Sequence, residues 1–203
     1  YWGYMPFTQS THYMGLLVLI LPIMSLVSRI RRKDFSSYEN FLWIISLIFL
    51  VVGFGKHFPM LYQSLFDYAP FFSKFRIPSM IYLILVFTFS YLTATSIDYL
   101  IKLNRDDLIK SSQIVVGTFI VIIILFFIFG ESIFSFSSPG DARFPNYIQF
   151  VQAIRVDYFN KGLILALAVS LSFFGLIWSY VHRKISKNLF LYSMLAILVI
   201  DLW

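Results

Sequence analysis

Gln113 to Gly130 carries no charged side chain and is almost entirely Ile, Val, Leu and Phe. A helix apolar on every side has no face to offer water, so it must lie in a large core or in a bilayer. Comparable runs recur along the chain, separated by short basic loops. A soluble domain of 203 residues cannot hide so many, because 59% of the residues are hydrophobic and only 13% are charged, against about a quarter charged in ordinary globular domains. The sequence therefore predicts an all-α, polytopic integral membrane protein. It has about six spans, near residues 13–28, 41–56, 80–101, 113–130, 162–181 and 189–203, with Pro22 inside the first.

Two connections, 57–79 and 131–161, are too long to be simple turns. In the first, Leu61, Leu65 and Phe66 are spaced for a short interfacial helix that Pro70 closes. In the second, Ser137-Ser138-Pro139-Gly140-Asp141 marks a turn. After it, Tyr147, Val151, Ile154 and Tyr158 recur at helical spacing, as in an amphipathic segment.

The net charge of +6 could point to nucleic acid, but its distribution points to membrane topology. Arg29, Arg31, Arg32 and Lys33, then Lys102, Arg105 and Lys110, then Arg183, Lys184 and Lys187 crowd three short loops. The long connections and the N-terminal segment are far sparser in Lys and Arg. The positive-inside rule then puts the short loops in the cytoplasm, with the N-terminal end, both long loops and Trp203 outside. Irregular, polar chain collects on the outer face, so function is expected there. With no cysteine, disulfides and thiolate metal sites are excluded.

The candidate chemistry is sparse. Asp98 with Lys102 four residues on reads better as an interfacial ion pair than as a proton relay. Asp106-Asp107 reads better as a helix cap than as a metal-binding pair. Glu131 and Asp201 lie at outer ends of spans, where carboxylates reach water. His12, His57 and His182 sit in separate segments, so no metal site is expected and no cofactor is evident. Lys56 and His57 suit snorkelling to the headgroups. Lys74 and Arg76 suit a phosphate, through a point charge and a planar fork, but on residue types alone read better as a plain membrane-surface anchor. Asp67 precedes them. Arg155 and Asp157 form a weaker pair whose spacing puts them on different helix faces, so they cannot bond each other.

Several short stretches resemble the bacterial YfhO-like membrane proteins. They are Tyr1-Trp2-Gly3, Pro6-Phe7-Thr8 and Tyr13-Met14-Gly15; Phe66-Asp67-Tyr68-x-Pro70; Lys74-Phe75-Arg76-x-Pro78-Ser79-Met80; Ala153-x-Arg155-x-Asp157; and Asp201-Leu202-Trp203. They follow in order over essentially the whole chain, and the run from Lys74 to Met80 is the most specific. The resemblance implies a GT-C-like glycosyltransferase of the bacterial cytoplasmic membrane. Such an enzyme takes a sugar from a polyprenyl-phosphate carrier and gives it to an envelope glycopolymer or lipid. It implies Lys74 and Arg76 as phosphate-side residues and a catalytic carboxylate in an outer loop upstream of Tyr1. The chain starts without Met and stops directly after an apolar run, so it is expected to be the middle of a longer protein. The competing expectations are a flippase or transporter for lipid-linked sugars, which needs a polar path through the bilayer, and a non-catalytic anchor for a downstream outer domain.

Overall fold

The computed structural model describes residues 13–34, 37–53, 59–68, 82–137, 141 and 145–202. Among them all regular structure is helical. The helices are α1 (Leu17–Arg32), α2 (Ser37–Gly53), α3 (Pro59–Tyr68), α4 (Tyr82–Lys102), α5 (Arg105–Ile133), α6 (Ile148–Val181) and α7 (Lys187–Leu202), with a 3-10 turn at Pro145–Tyr147. Three of them, α4, α5 and α6, are long and apolar enough to cross a membrane. The six-span expectation is met only to that extent. Helices α1, α2 and α7 have 16, 17 and 16 residues, at or below the short end of the roughly 17–25 that a bilayer core asks for.

Two boundaries differ from the sequence reading in an instructive way. Residues 131–161 are not one long loop: α5 continues to Ile133, and α6 starts at Ile148 and runs for 34 residues. The amphipathic segment and the fifth apolar run are thus one helix. Nothing between Asn160 and Gly162 breaks it, because a helical glycine costs only about 1 kcal/mol and no proline is present. Tyr147, Ile154 and Tyr158 are exposed, so the apolar face read from the pattern turns away from the protein. At the start of α5, Asn104 rather than an aspartate occupies the cap position, and its side chain makes no capping bond. Asp106 and Asp107 lie in the first turn, where negative charge favours the helix dipole.

The chain divides into two compact units, one of Tyr1–Leu17 with Asn104–Trp203 and one of Val18–Leu103. In the first, α5 and α6 pack along each other, with α7 against α6. Val115, Val116, Ile123, Phe173, Ile177, Phe190 and Met194 are buried there. Gly130 permits the close approach of α5 to α6, since a β-carbon at that position would stand 2.6 Å from the Phe159 ring. Arg105 on α5 donates to the carbonyls of Tyr180 and Val181 at 3.0 and 2.7 Å. A cation thereby meets the otherwise unpaired C-terminal end of α6.

In the second unit α2 packs on α4, and hydroxyls join helices that apolar contacts alone would not orient. Ser46 donates to the Thr88 hydroxyl at 2.9 Å, and Thr93 donates to the Val18 carbonyl at 3.1 Å. Small residues and hydroxyls at helix contacts are what association in lipid requires, because apolar side chains gain little by leaving lipid for protein. Gly53 serves the same purpose against the ring of Tyr82. On the outward faces Leu83, Phe87, Val121 and Ile128 are among many large apolar side chains left exposed, as a bilayer surround permits.

Candidate functional site

Of the residues singled out from sequence, Lys56, His57, Lys74 and Arg76 lie outside the described residues. Asp67 is exposed near the end of α3. The expected short helix is present as α3, with Met60, Phe66 and Tyr68 exposed along its ten residues; Pro70, expected to close it, lies outside the described residues.

Arg155 and Asp157 behave as their spacing demands and do not meet each other. Arg155 instead reaches back across the α5–α6 connection. Its Nη1 donates to Asp141 Oδ2 at 2.6 Å and its Nη2 to Asp141 Oδ1 at 2.8 Å, and Nη1 also donates to the Phe136 carbonyl at 2.9 Å. The two side chains are only 13% and 14% exposed. A planar fork on both carboxylate oxygens is the strongest form this pairing takes. Phe136 has a left-handed backbone, φ 48°, and its buried ring packs edge-on against Phe134 and Phe159. Arg155 is thus a clamp on the connecting loop. Asp157 pairs with Lys161 one turn on, at 2.6 Å, and both side chains remain well exposed.

Asp201 overturns its sequence reading. It is 4% exposed and does not reach water. Its Oδ1 accepts the Tyr13 hydroxyl at 2.5 Å, and its Oδ2 accepts the backbone N–H groups of Leu16 and Leu17 at 2.5 and 3.3 Å. Those amides open α1, where the first N–H groups have no partner within the helix. An aspartate from the far end of the chain therefore does what a local cap ordinarily does. Gly15, at φ 88°, turns the chain into this arrangement, and a β-carbon there would crowd Asp201 Oδ2 at 3.1 Å. Sequence offered one signal for it: an acid closing an apolar run must be satisfied inside the protein or stay near the water.

A third charged centre lies wholly in the second unit, and sequence reasoning missed it. Arg29, in the last turn of α1, holds Glu39 of α2 through both carboxylate oxygens, each at 2.7 Å. Its guanidinium stacks over the Tyr99 ring of α4 at 3.8 Å, a cation–π contact. Burial, the largest influence, pushes the Glu39 carboxyl above its ordinary range, while Arg29 pulls it back. Neighbouring Asp98 and Lys102 pair at 2.7 Å, as their four-residue spacing predicts. Arg29 was read only as one of the topology-setting cations, and no local spacing links it to Glu39.

Among the described residues no three His, Asp or Glu side chains gather as a metal ion would need. The described charges of α4 and α5 sit toward their ends, at Asp98 and Lys102 and at Arg105 to Lys110 and Glu131, and those of α6 lie in its first half, at Arg155 to Lys161. Compared with protein families, curated proteins and solved structures, the chain matches none.

Proposed function

We propose that this chain forms part of a YfhO-like membrane glycosyltransferase, which moves a sugar from a polyprenyl-phosphate carrier to a cell-envelope acceptor on the outer face of a bacterial cytoplasmic membrane. One juxtaposition supports the reading best. The short helix α3 ends with exposed Phe66 and Tyr68. The Lys74-Phe75-Arg76 run follows a few residues later, and the apolar candidate span α4 begins at Tyr82. Rings suited to the membrane interface and an apolar span bracket two cations, which is the order expected of a site at headgroup depth.

In this reading an acceptor hydroxyl oxygen attacks the anomeric carbon of the donor sugar. The bond from that carbon to the phosphate oxygen breaks, and its electron pair stays on the phosphate. The acceptor proton passes to a general base, which the resemblance makes a carboxylate of an outer loop. Arg76 offers its fork and Lys74 its point charge to the phosphate as negative charge grows on it. Such preorganised cations act where the charge develops and so lower the barrier to transfer.

The test is sugar transfer from a polyprenyl-phosphate donor in membranes carrying the intact protein, native or as Lys74→Ala/Arg76→Ala. Losing both cations is expected to slow transfer by roughly a hundredfold or more. Unchanged transfer by a variant that inserts normally overturns the phosphate role.

A further inference from the structure

Beside the Arg29–Glu39 clamp, the second unit holds a cavity of about 490 Å³, open to the surface, a volume suited to a small ligand or a lipid headgroup. Arg29, Glu39, Tyr91, Asp98, Tyr99 and Lys102 line it. Its two cations and two carboxylates cancel. A ligand carrying net charge of either sign would leave one wall uncompensated, whereas a zwitterion answers both.

The two ion pairs are held differently. Arg29 and Glu39 are largely buried and further fixed by the stack on Tyr99. Asp98 and Lys102 are 70% and 72% exposed, and a pair that wet opens at little cost to meet a ligand. The Tyr99 hydroxyl is buried and has no hydrogen-bond partner among the described residues. Tyr91 is exposed at the cavity wall and adds a ring face, which attracts an ammonium. Depth in the membrane follows from the chain. Asp98 and Lys102 end the candidate span α4, and in the same unit α1 ends in Arg29, Arg31 and Arg32, a basic belt of the kind found at the headgroup level.

We propose that this cavity binds a zwitterionic aminoethyl phosphodiester presented by a membrane lipid, the headgroup of phosphatidylethanolamine. Lys102 takes the phosphate. Asp98 takes the ammonium, beside the ring of Tyr91. The Arg29–Glu39 clamp forms the rigid back wall. The assignment does not depend on the sugar-transfer reading, which concerns other residues.

The test uses the intact protein in mild detergent, mixed with equal amounts of phosphatidylethanolamine, phosphatidylglycerol and phosphatidylcholine. Retained lipid is counted by native mass spectrometry. Phosphatidylethanolamine is expected to be retained at least fivefold over the other two, and Asp98→Asn or Lys102→Gln to lose about tenfold of that retention. Both side chains are exposed, so folding is not at issue, and Asp157→Asn serves as the control that leaves retention unchanged. Equal or better retention of phosphatidylglycerol overturns the zwitterion. Equal retention of phosphatidylcholine, which has no ammonium N–H to donate, overturns the Asp98 contact. Unchanged retention in Asp98→Asn overturns the site. Glycerophosphoethanolamine displacing the lipid at an equal concentration overturns the membrane source.

Discussion

The molecule builds nearly the same clamp twice, once in each unit, and surrounds it differently. Arg155 with Asp141 and Arg29 with Glu39 are both two-point contacts, and all four side chains are about equally buried. Around Arg155 the described polar groups are paired. A guanidinium nitrogen also takes the Phe136 carbonyl, and phenylalanine rings close over that loop residue. Around Arg29 the guanidinium face rests on a ring, and the same wall borders a cavity with a second, loosely held pair. A buried ion pair is therefore not a sign of function by itself. What separates a loop fastener from the wall of a site is whether the surrounding polar groups already have partners.

The largest expected effect tests the fastener. Asp141→Ala leaves a largely buried guanidinium without its carboxylate and should cost about 2–3 kcal/mol, read as a fall in unfolding temperature in detergent and faster protease cutting between α5 and α6. Replacing both partners, as Asp141→Ala with Arg155→Met, should recover most of that loss, because an apolar pair avoids the unpaired charge. If the single variant costs under about 1 kcal/mol, as an exposed pair would, the clamp is not what holds this loop.

A smaller effect is expected at Asp201, which shares the buried setting but serves backbone amides and a hydroxyl rather than a cation. Asp201→Asn keeps the shape, loses the charge and turns an amide donor toward other donors. It should cost about 2 kcal/mol. Tyr13→Phe should cost less, since the backbone bonds to Oδ2 remain. Equal losses from the two variants would show that the tyrosine bond, and not the cap, carries the stability.

The contrast also marks what sequence can say. The apolar runs gave the helices, because 3.6-residue geometry and a lack of charge are local properties. The acid-before-base pairs at Asp98 and Lys102 and at Asp157 and Lys161 were equally local. Helix ends were less legible: α5 and α6 run past their most apolar stretches through polar residues that also favour a helix. Least legible were the long-range partners. Arg29 meets Glu39 across the α1–α2 connection, Arg155 meets Asp141 across the α5–α6 connection, and Asp201 meets Tyr13, 188 residues away, through the packing of the fold. No spacing rule encodes those meetings. The cavity at the ends of α1 and α4 is likewise assembled from separate helices, and no single run of sequence marks it.

The smallest expected effect sharpens the comparison most. Asp98→Asn and Asp157→Asn each remove one exposed four-residue pair. Pairs of this kind stabilise a helix by only about 0.3–0.5 kcal/mol, so neither variant should shift the unfolding temperature appreciably at moderate salt. In stability the two are twins. They differ in that Asp98 lines the cavity beside Tyr99 and Lys102, whereas Asp157 pairs with Lys161 on a face of α6. A stability loss above about 1 kcal/mol from Asp98→Asn alone would mean that this pair is structural, and the cavity wall would then be another fastener. Equal stability is what an exposed pair kept available for a ligand requires.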